Sequence, residues 1–271
     1  QREVRAMPPK RKRKDGGAVG DSTSVTPKRR KEVDTDVTGH LIDERVNVIL
    51  GMTGSVASIK AGELITKLAY DDRIHAAVGH QDTVVNSLKV VATKAAKHFF
   101  NCKELNEFWF HHAVEFHSDE EEWRDWKKVG DPVLHIELRR WADILVIAPC
   151  SANTLAKLAN GLCDDLLSCI VRAWDFKDPT KLLVIAPAMN TMMWESPFTQ
   201  KHLETLVELG GGTMDDQKRV QIIGPVEKTL ACGDVGNGAM ASPTDIARLV
   251  ADYRLAAKST RGLKALLKDY R

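Results

Sequence analysis

Short apolar runs without polar alternation recur along the chain. They are Arg45–Leu50 (RVNVIL), Leu88–Ala92 (LKVVA), Ile144–Ala148 (ILVIA) and Lys181–Ala186 (KLLVIA). Runs of this kind are typical of strands that are buried on both faces of a parallel sheet. Because segments with helical spacing of apolar residues lie between them, the pattern predicts an α/β fold with a doubly wound parallel sheet in a single domain.

Helices are predicted between and after these strands. The segments are Val56–Ala69, His135–Trp141, Ala152–Asn160, Asp164–Trp174, Phe198–Leu209 and Thr244–Tyr253. Pro149 is predicted to end the third strand, and Thr244 to cap the last helix. Short strands are predicted within Thr213–Ile223. Cys102–Pro132 is acidic and aromatic and is interpreted as a surface excursion with a short strand and a helix. Arg73–Asn86 is ambiguous, with an extra strand and a loop as one interpretation.

Three predicted strand-to-helix junctions carry a hydroxyl, at Ser55, Thr93 and Ser151. In an open α/β sheet, ligands bind outside the carboxyl ends of the strands, close to helix N-termini with free backbone N–H groups. Ser151, Ala152 and Asn153 are therefore expected to face a ligand. Three such junctions on one side of a sheet suggest a phosphate ligand of nucleotide size. The Walker and GxGxxG spacings are absent, and each junction alone also fits an ordinary capped helix.

Two further segments follow predicted strands or helices. Pro187–Trp194 (PAMNTMMW) follows a strand end, and its amide and sulfurs either line a pocket or fill the core. Leu230–Ala241 (LACGDVGNGAMA) contains three glycines and is predicted to be a mobile loop rather than a helix or regular strand. Its Cys232 lies either on a lid over a site or on an ordinary exposed loop.

The composition narrows the class of protein. The chain has 271 residues, 43% of them hydrophobic, which is enough for one sizeable core. Five cysteines without a CxxC pair argue against a disulfide scaffold and a zinc site, so no metal is predicted, and they fit a reducing compartment. No apolar run approaches the ~18 residues of a membrane span, and no membrane partner is expected.

The charge is concentrated in the first residues. Residues 1–31 carry eleven Lys or Arg against three acidic residues, a net charge of +8, so the remainder of the chain carries −6 of the total of +2. Residues 1–44 are predicted to be a disordered basic tail, 45–257 a folded domain and 258–271 a frayed basic end. Lys10–Lys14 and Lys28–Lys31 fit a two-part nuclear-import signal in a cytoplasmic protein, or a solvated tail that contacts polyanions weakly. No specific nucleic acid is expected, because aromatic residues do not interleave the basic ones.

Four motifs in order then point to a family. They are Gly54–Lys60 (GSVASIK), His135–Leu167, Pro187–Trp194 and Ala231–Ala241 (ACGDVGNGAMA). The chain resembles the homo-oligomeric flavin-containing cysteine decarboxylases, the family of phosphopantothenoylcysteine decarboxylases and halotolerance flavoproteins. The resemblance runs from about Arg45 to Tyr253. Cys150 stands where an aliphatic residue is expected, which should be a tolerated packing change.

The resemblance implies a flavodoxin-like (Rossmann-like) fold and a homotrimer with FMN and the active sites at the subunit interfaces. His135 becomes the catalytic histidine, reaching the FMN of a neighbouring subunit, and Cys232 the proton donor on the loop that covers the substrate. Asn190 holds the substrate carboxylate, and Met193 and Gly236 help to shape the site. The implied FMN contacts are Gly54, Ser55, Val56, Thr93, Lys94, Ala95, Ser151, Ala152, Asn153, Thr154 and Ala188.

The function implied is decarboxylation of 4′-phosphopantothenoylcysteine to 4′-phosphopantetheine and CO2 in coenzyme A biosynthesis. FMN provides the electron sink that a cysteine carboxylate needs before CO2 can leave. The alternative is a regulatory, inhibitory subunit of a Ser/Thr protein phosphatase, as some halotolerance relatives are. The presence of His135, Asn190 and Cys232 together, without a long acidic tail, favours the enzyme. A flavin-dependent prenyltransferase is disfavoured by the ACGDVGNGAMA segment.

Overall fold

The computed structural model of the protein describes residues 46–69, 86–109, 114–124, 126–229 and 235–253. The strands are β1 (Val46–Met52), β2 (Asn86–Ala92), β3 (Glu115–Ser118), β4 (Ile144–Cys150), β5 (Leu182–Pro187), β6 (Val220–Ile222), β7 (Val226–Thr229) and β8 (Val235–Ala239). The first six form one parallel sheet in the order β3-β2-β1-β4-β5-β6, and β7 pairs with β8 antiparallel. This confirms the predicted doubly wound sheet, with the strand order of its Rossmann-like variant.

Two layers of helices cover the sheet. The helices are α1 (Ala61–Ala69), α2 (Cys102–Trp109), α3 (Leu134–Trp141), α4 (Ala152–Ala159), α5 (Leu166–Arg172), α6 (Thr191–Trp194), α7 (Pro197–Leu209) and α8 (residues 243–253). Leu64 of α1 and Ile246 of α8 are buried against one face of the sheet. Leu138 of α3, Leu167 of α5 and Leu203 of α7 are buried against the other.

The central strands have no polar alternation because both of their faces are buried. In β1, Val48 and Leu50 pack with the α1 layer, whereas Ile49 between them packs with the α3 layer. In β4, Val146 packs with the α1 layer and Leu145 with the α3 layer. Each of these side chains is fully buried, and burial of one such side chain stabilises the fold by about 1.5–3 kcal/mol. The apolar runs that predicted the strands are therefore the two-sided core.

The position of β1 beside β4 creates the crevice where open α/β sheets bind ligands. Chain order leads from β1 to β2 on one side and from β4 to β5 on the other, so the loops after β1 and β4 diverge. This switch point lies at the carboxyl ends of the strands, where the sequence predicted ligand-facing hydroxyls.

Several element boundaries differ from the prediction. β4 continues through Pro149, which was predicted to end it, because Cys150 pairs with Pro187 of β5 after a register shift. The last helix is capped by Ser242 and not by Thr244, since Ser242 Oγ accepts the N–H of Asp245 at 3.1 Å. The helix after β1 opens with a 3-10 segment over residues 56–60 before α1 begins.

Three further expectations are confirmed only in part. Within Thr213–Ile223 only Val220–Ile222 is a strand. Thr93 was predicted to stand at the start of a helix, and the segment that follows it is a three-residue 3-10 helix, Ala96–His98. The short strand and the helix predicted within Cys102–Pro132 are present as β3 and α2, but β3 pairs with β2 and forms the edge of the main sheet, so the stretch is not a mere surface excursion.

The glycine-rich segment Leu230–Ala241 was predicted to lack regular strand, and this is wrong for its described part. Val235–Ala239 forms β8 because its backbone pairs with β7. Its glycines allow a neighbouring backbone to approach closely: a Cβ on Gly238 would collide with the carbonyl oxygen of Met189. Two-stranded pairing and close packing therefore impose strand geometry on residues with little preference for it.

Some predicted segments lie outside the described residues. These are the basic tail, residues 73–85, Cys232 and residues 258–271. The described residues all belong to one compact unit, 44–271. Within them, every helix is too short or too polar to cross a membrane.

Candidate functional site

Four loops at the carboxyl ends of β1, β2, β4 and β5 are joined by hydrogen bonds into one border. We call it the loop rim; it comprises residues 53–58, 93–98, 150–154 and 188–190. The N–H of Thr93 donates to the carbonyl oxygen of Met52 at 3.0 Å, which joins the first two loops. The N–H of Ala188 donates to the carbonyl oxygen of Cys150, also at 3.0 Å, which joins the last two.

Thr53 bridges the switch point between β1 and β4. Its fully buried hydroxyl donates to the carbonyl oxygen of Pro149 at 2.8 Å and accepts the N–H of Ser151 at 2.8 Å. The carbonyl oxygen of Thr53 in turn accepts the hydroxyl of Ser58 at 2.8 Å. These bonds hold the two loops that diverge at the crevice in one fixed arrangement.

The predicted caps on the rim are confirmed at Ser55 and Ser151. Ser55 Oγ accepts the N–H of Ala57 at 3.4 Å, and Ser151 Oγ accepts the N–H of Thr154 at 3.3 Å. Thr93 Oγ1 also accepts a backbone N–H, that of Ala96, at 3.3 Å. The first N–H groups of a helix such as α4 have no acceptor within the helix and are available to an anion.

The rim is tightly assembled and contains no acidic residue. A Cβ on Gly54 would lie 2.6 Å from the Cβ of Ala95, so only glycine lets the first two loops approach this closely. Val56, Lys94 and Asn153 are exposed at the surface of the rim. The starts of two helical segments and the exposed Lys94, on a rim without a carboxylate of its own, favour a phosphate-bearing ligand.

The predicted substrate residues lie beside one another where the β5 loop meets β8. Asn190 caps α6, with its Oδ1 accepting the N–H of Met192 at 2.9 Å. A Cβ on Gly236 would lie 2.5 Å from Thr191 Oγ1, so β8 packs directly on this helix. Met193 is 49% exposed. This exposure favours a surface that lines a pocket over a core plug.

His135 belongs to a different group of side chains, the His135 cluster (Glu122, His135 and Cys169). His135 Nδ1 lies 2.7 Å from Glu122 Oε1, and Glu122 is 7% exposed. The ring of Trp123 meets the imidazole edge-on, with 6.4 Å between ring centroids. His135 lies in the first turn of α3, and Leu138 anchors this helix to the core.

The far end of α3 is fixed by a buried lysine. Lys181 Nζ donates to the carbonyl oxygens of Ala142 and Arg139, the latter at 3.1 Å. It also lies over the ring of Trp174, 5.1 Å from the centroid. Burial lowers the pKa of Lys181. The helix that carries His135 is thus tied down at its carboxyl end, so its first turn has a defined position.

The third member of the cluster is a protonated thiol. Burial, followed by the charge of Glu122 and the neighbouring Cys163, raises the pKa of Cys169 to about 12. Glu122, His135 and Cys169 offer metal-ligand atoms within 4.8 Å of one another. However, two ligands 2.0–2.1 Å from a tetrahedral zinc ion lie roughly 3.3 Å apart, whereas the Glu122–His135 contact of 2.7 Å has hydrogen-bond length.

The predicted FMN contacts all lie on the loop rim, and Asn190, Met193 and Gly236 lie at its β5 end. His135 does not join them: within the described part of the chain, its ring makes a hydrogen bond to Glu122 alone. Sequence reasoning missed Thr53, Glu122 and Cys169. Thr53 lies next to the Gly54–Ser55 turn, but Glu122 stands in the run Asp119–Glu122 and resembles a solvated acidic residue there.

Comparisons of the sequence and of the fold with known proteins agree on the family of this chain. The sequence profile of the Flavoprotein family matches residues 40–255. A phosphopantothenoylcysteine decarboxylase of Arabidopsis thaliana is 50% identical over 197 residues, which are 73% of this chain and 79% of the relative.

Two solved structures agree in fold and in sequence. A PPC decarboxylase mutant complexed with pantothenoylaminoethenethiol is 46% identical with a TM-score of 0.63, covering 78% of this chain and 98% of that one. The FMN binding protein AtHal3 is 47% identical with a TM-score of 0.62, covering 80% and 98%. With a family profile that spans the whole described region and relatives of this similarity, the chain belongs to the Flavoprotein family.

Proposed function

We propose that this protein is an FMN-dependent decarboxylase that converts 4′-phosphopantothenoylcysteine to 4′-phosphopantetheine and CO2 in coenzyme A biosynthesis. The observation that carries the proposal is the continuous loop rim at the β1–β4 switch point, with predicted substrate residues at its β5 end. The names of the relatives, a phosphopantothenoylcysteine decarboxylase and an FMN binding protein, agree with it.

The residues of the rim fit FMN. The phosphate of FMN needs N–H donors and no nearby carboxylate, and the starts of the helical segments at Ser55 and Ser151 meet both conditions. The close approach of Gly54 to Ala95 holds the first two loops together, so that the start of the helical segment at Ser55 lies directly beside the second loop. We assign FMN binding to the rim, with the eleven residues implied by the family resemblance.

When bound, FMN would supply reversible two-electron chemistry with no net redox change. This chemistry would provide the electron sink that the substrate needs before CO2 can leave. The protein supplies the proton transfers and the orientation. His135 takes the proton of the substrate thiol, and Cys232, as a thiol, returns a proton to carbon after CO2 has left. Asn190 orients the carboxylate with neutral hydrogen bonds, which hold it without the charge pairing that would oppose its departure.

The position of His135 supports an active site shared between subunits. Its cluster has no described hydrogen bond to the rim, so a rim from a neighbouring copy is the natural partner. Large apolar side chains beside the rim are exposed in the single chain: Val56 by 44%, Ile59 by 65% and Met192 by 73%. Exposed apolar groups of this kind are typical of a surface that another subunit covers. These exposed groups support an oligomer, and the family resemblance implies that it is a homotrimer, which we propose.

The test measures CO2 release from 4′-phosphopantothenoylcysteine by purified protein, together with its absorbance spectrum and its mass in solution. We expect a yellow trimer that releases CO2. Protein that cannot be loaded with FMN, or FMN-loaded protein without CO2 release, would contradict the proposal. Tight binding of a Ser/Thr protein phosphatase by protein that lacks decarboxylase activity would favour the regulatory alternative.

A further inference from the structure

Glu122 is an unusual carboxylate for its surroundings. It follows three acidic residues in a turn, yet its side chain is only 7% exposed, whereas that of Glu120 is 67% exposed. Removing a carboxylate from water is costly unless donors replace the water. Its Oε1 meets His135 Nδ1 at 2.7 Å, a distance typical of a charge-assisted hydrogen bond.

The surrounding structure fixes this contact in place. The turn that carries Glu122 is tied to α5, because Asp119 Oδ1 accepts the N–H of Leu166 at 3.0 Å. Cys169, on the next turn of α5, approaches the same carboxylate. Its thiol, protonated because burial raises its pKa to about 12, has Glu122 and the carbonyl oxygen of Cys163 as acceptors. The carboxylate therefore has His135 Nδ1 as its hydrogen-bond partner at 2.7 Å and the Cys169 thiol beside it, on a turn that is tied to α5.

The contact determines which nitrogen of His135 is available. An ionised carboxylate accepts hydrogen bonds and cannot donate them, so with Glu122 ionised Nδ1 carries the proton in this contact. In the neutral ring, Nε2 is then the unprotonated nitrogen. Within the described residues, no group makes a hydrogen bond to Nε2. This nitrogen is therefore available to a substrate.

We propose that Glu122 is a positioning residue for the decarboxylation: it holds His135 in the Nδ1–H tautomer and directs Nε2 toward the substrate thiol. This inference rests on the proposed function of His135. The thiol proton then moves from substrate sulfur to Nε2, giving a thiolate and an imidazolium whose charge faces the Glu122 carboxylate. The proton is released from Nε2 when the site is reset.

The experiment compares Glu122→Ala and Glu122→Gln with the wild type, and uses Glu120→Gln as the matched control. Glu120 lies in the same acidic turn but pairs with Lys97 at 2.6 Å and does not contact His135. The first readout is the tautomer of His135, from nitrogen NMR of protein with ¹⁵N-labelled histidine rings, assigned with His135→Asn. It needs no substrate, so it separates failure of this inference from failure of the proposed function.

We expect the Nδ1–H tautomer in the wild type and in Glu120→Gln, and its loss in Glu122→Ala. The turnover number kcat of Glu122→Ala should fall about 10- to 100-fold, part of the range that general acid–base catalysis supplies. KM and FMN content should stay within about twofold of the wild type, as is typical when ground-state binding is intact. Glu122→Gln, whose amide oxygen can still accept the Nδ1 proton, should retain the tautomer and lose less turnover.

Three results would overturn the inference. The first is an unchanged His135 tautomer in Glu122→Ala. The second is a kcat of this variant within twofold of the wild type. The third is a loss of activity that follows a loss of FMN or of thermal stability, which would indicate a purely structural role. If Glu122→Ala does not fold, the isosteric Glu122→Gln variant decides by its turnover: its kcat should lie below the wild-type value at unchanged FMN content and thermal stability, and a kcat within twofold of the wild type would overturn the inference.

Discussion

The loop rim and the His135 cluster differ in the kind of chemistry that holds them together. The rim is built from backbone groups and hydroxyls, and Thr53 alone joins two of its loops through two hydrogen bonds of 2.8 Å. The cluster is built from ionisable side chains, with a carboxylate and an imidazole 2.7 Å apart. Backbone groups and hydroxyls in fixed positions suit the binding of a cofactor, whereas groups that exchange protons suit a reaction.

The two regions also lie on different parts of the fold, with the exposed Glu120–Lys97 ion pair between the acidic turn and the rim. The rim borders the carboxyl ends of the central strands, while the cluster lies between the edge-strand turn, α3 and α5. Binding and proton transfer should therefore respond independently to mutation. A change in the rim should affect stability and FMN retention, and a change in the cluster should affect turnover by protein that still holds FMN.

The largest expected effect is that of His135→Asn. This change removes the ring nitrogen that accepts the thiol proton, so kcat should fall by about 10²–10⁴-fold. FMN content, measured by absorbance after gel filtration, should match the wild type. His202→Asn, on α7 outside the cluster, serves as control and should keep wild-type turnover. Loss of FMN in His135→Asn would show that the two regions are not independent.

A smaller effect is expected from Thr53→Val. The change keeps the shape of the side chain but leaves the Pro149 carbonyl oxygen and the Ser151 N–H without their partner. Unsatisfied buried polar groups cost about 1–3 kcal/mol each, so the loss of both partners should lower the free energy of unfolding by about 2–6 kcal/mol. FMN should dissociate more readily, while turnover per bound FMN should stay near the wild-type value.

The control for this change is Thr66→Val on α1. Its exposed hydroxyl donates to the carbonyl oxygen of Gly62 at 2.8 Å within the helix. Exposed substitutions usually change stability by less than about 0.5 kcal/mol. Denaturant unfolding of both variants makes the comparison. Equal stabilities for Thr53→Val and Thr66→Val would contradict the bridging role of Thr53.

The smallest effect concerns thiol reactivity at pH 8. Burial raises the pKa of Cys150 to about 12, and burial together with the charge of Glu122 raises that of Cys169 to about 12. Only about one thiol in 10⁴ is then ionised at pH 8, so both should react slowly with maleimide, and exposed Cys163 faster. Peptide mass spectrometry gives the rates.

Glu122→Gln distinguishes the two slow thiols. Removal of the Glu122 charge should increase the labelling rate of Cys169 several-fold, because one cause of its raised pKa disappears. Cys150, on the rim strand β4, should be unaffected because burial alone raises its pKa. Equal acceleration of both cysteines would indicate general loosening of the protein rather than a local charge effect.

The central strands and the main helices were predictable because their signals are local. A strand such as β1 is buried on both faces, and its apolar run records that directly. Caps such as Ser151 act on a backbone N–H three residues away, within reach of a short sequence window. The four family motifs added the expected binding and catalytic residues, and the rim brings the predicted FMN contacts onto one border.

Other features depend on partners that are distant in sequence. β8 is a strand only because β7 pairs with it, and its composition alone favours a loop. The strand β4 passes Pro149 because β5 continues to pair with it. In both segments the local sequence disfavours a strand, as predicted, but strand pairing in the folded protein outweighs that preference.

The sequence by itself therefore determined the central strands, the main helices and the hydroxyl-bearing junctions at Ser55, Thr93 and Ser151, since burial periodicity and capping are short-range properties, and the family resemblance supplied the other expected FMN contacts. The tertiary structure alone decided that Thr53 bridges loops 96 residues apart in the chain and that Glu122 pairs with His135. The identity of a threonine or a glutamate in the sequence does not reveal whether its side chain is solvated or pairs with a buried partner. Only the folded arrangement removes the water and specifies what replaces it.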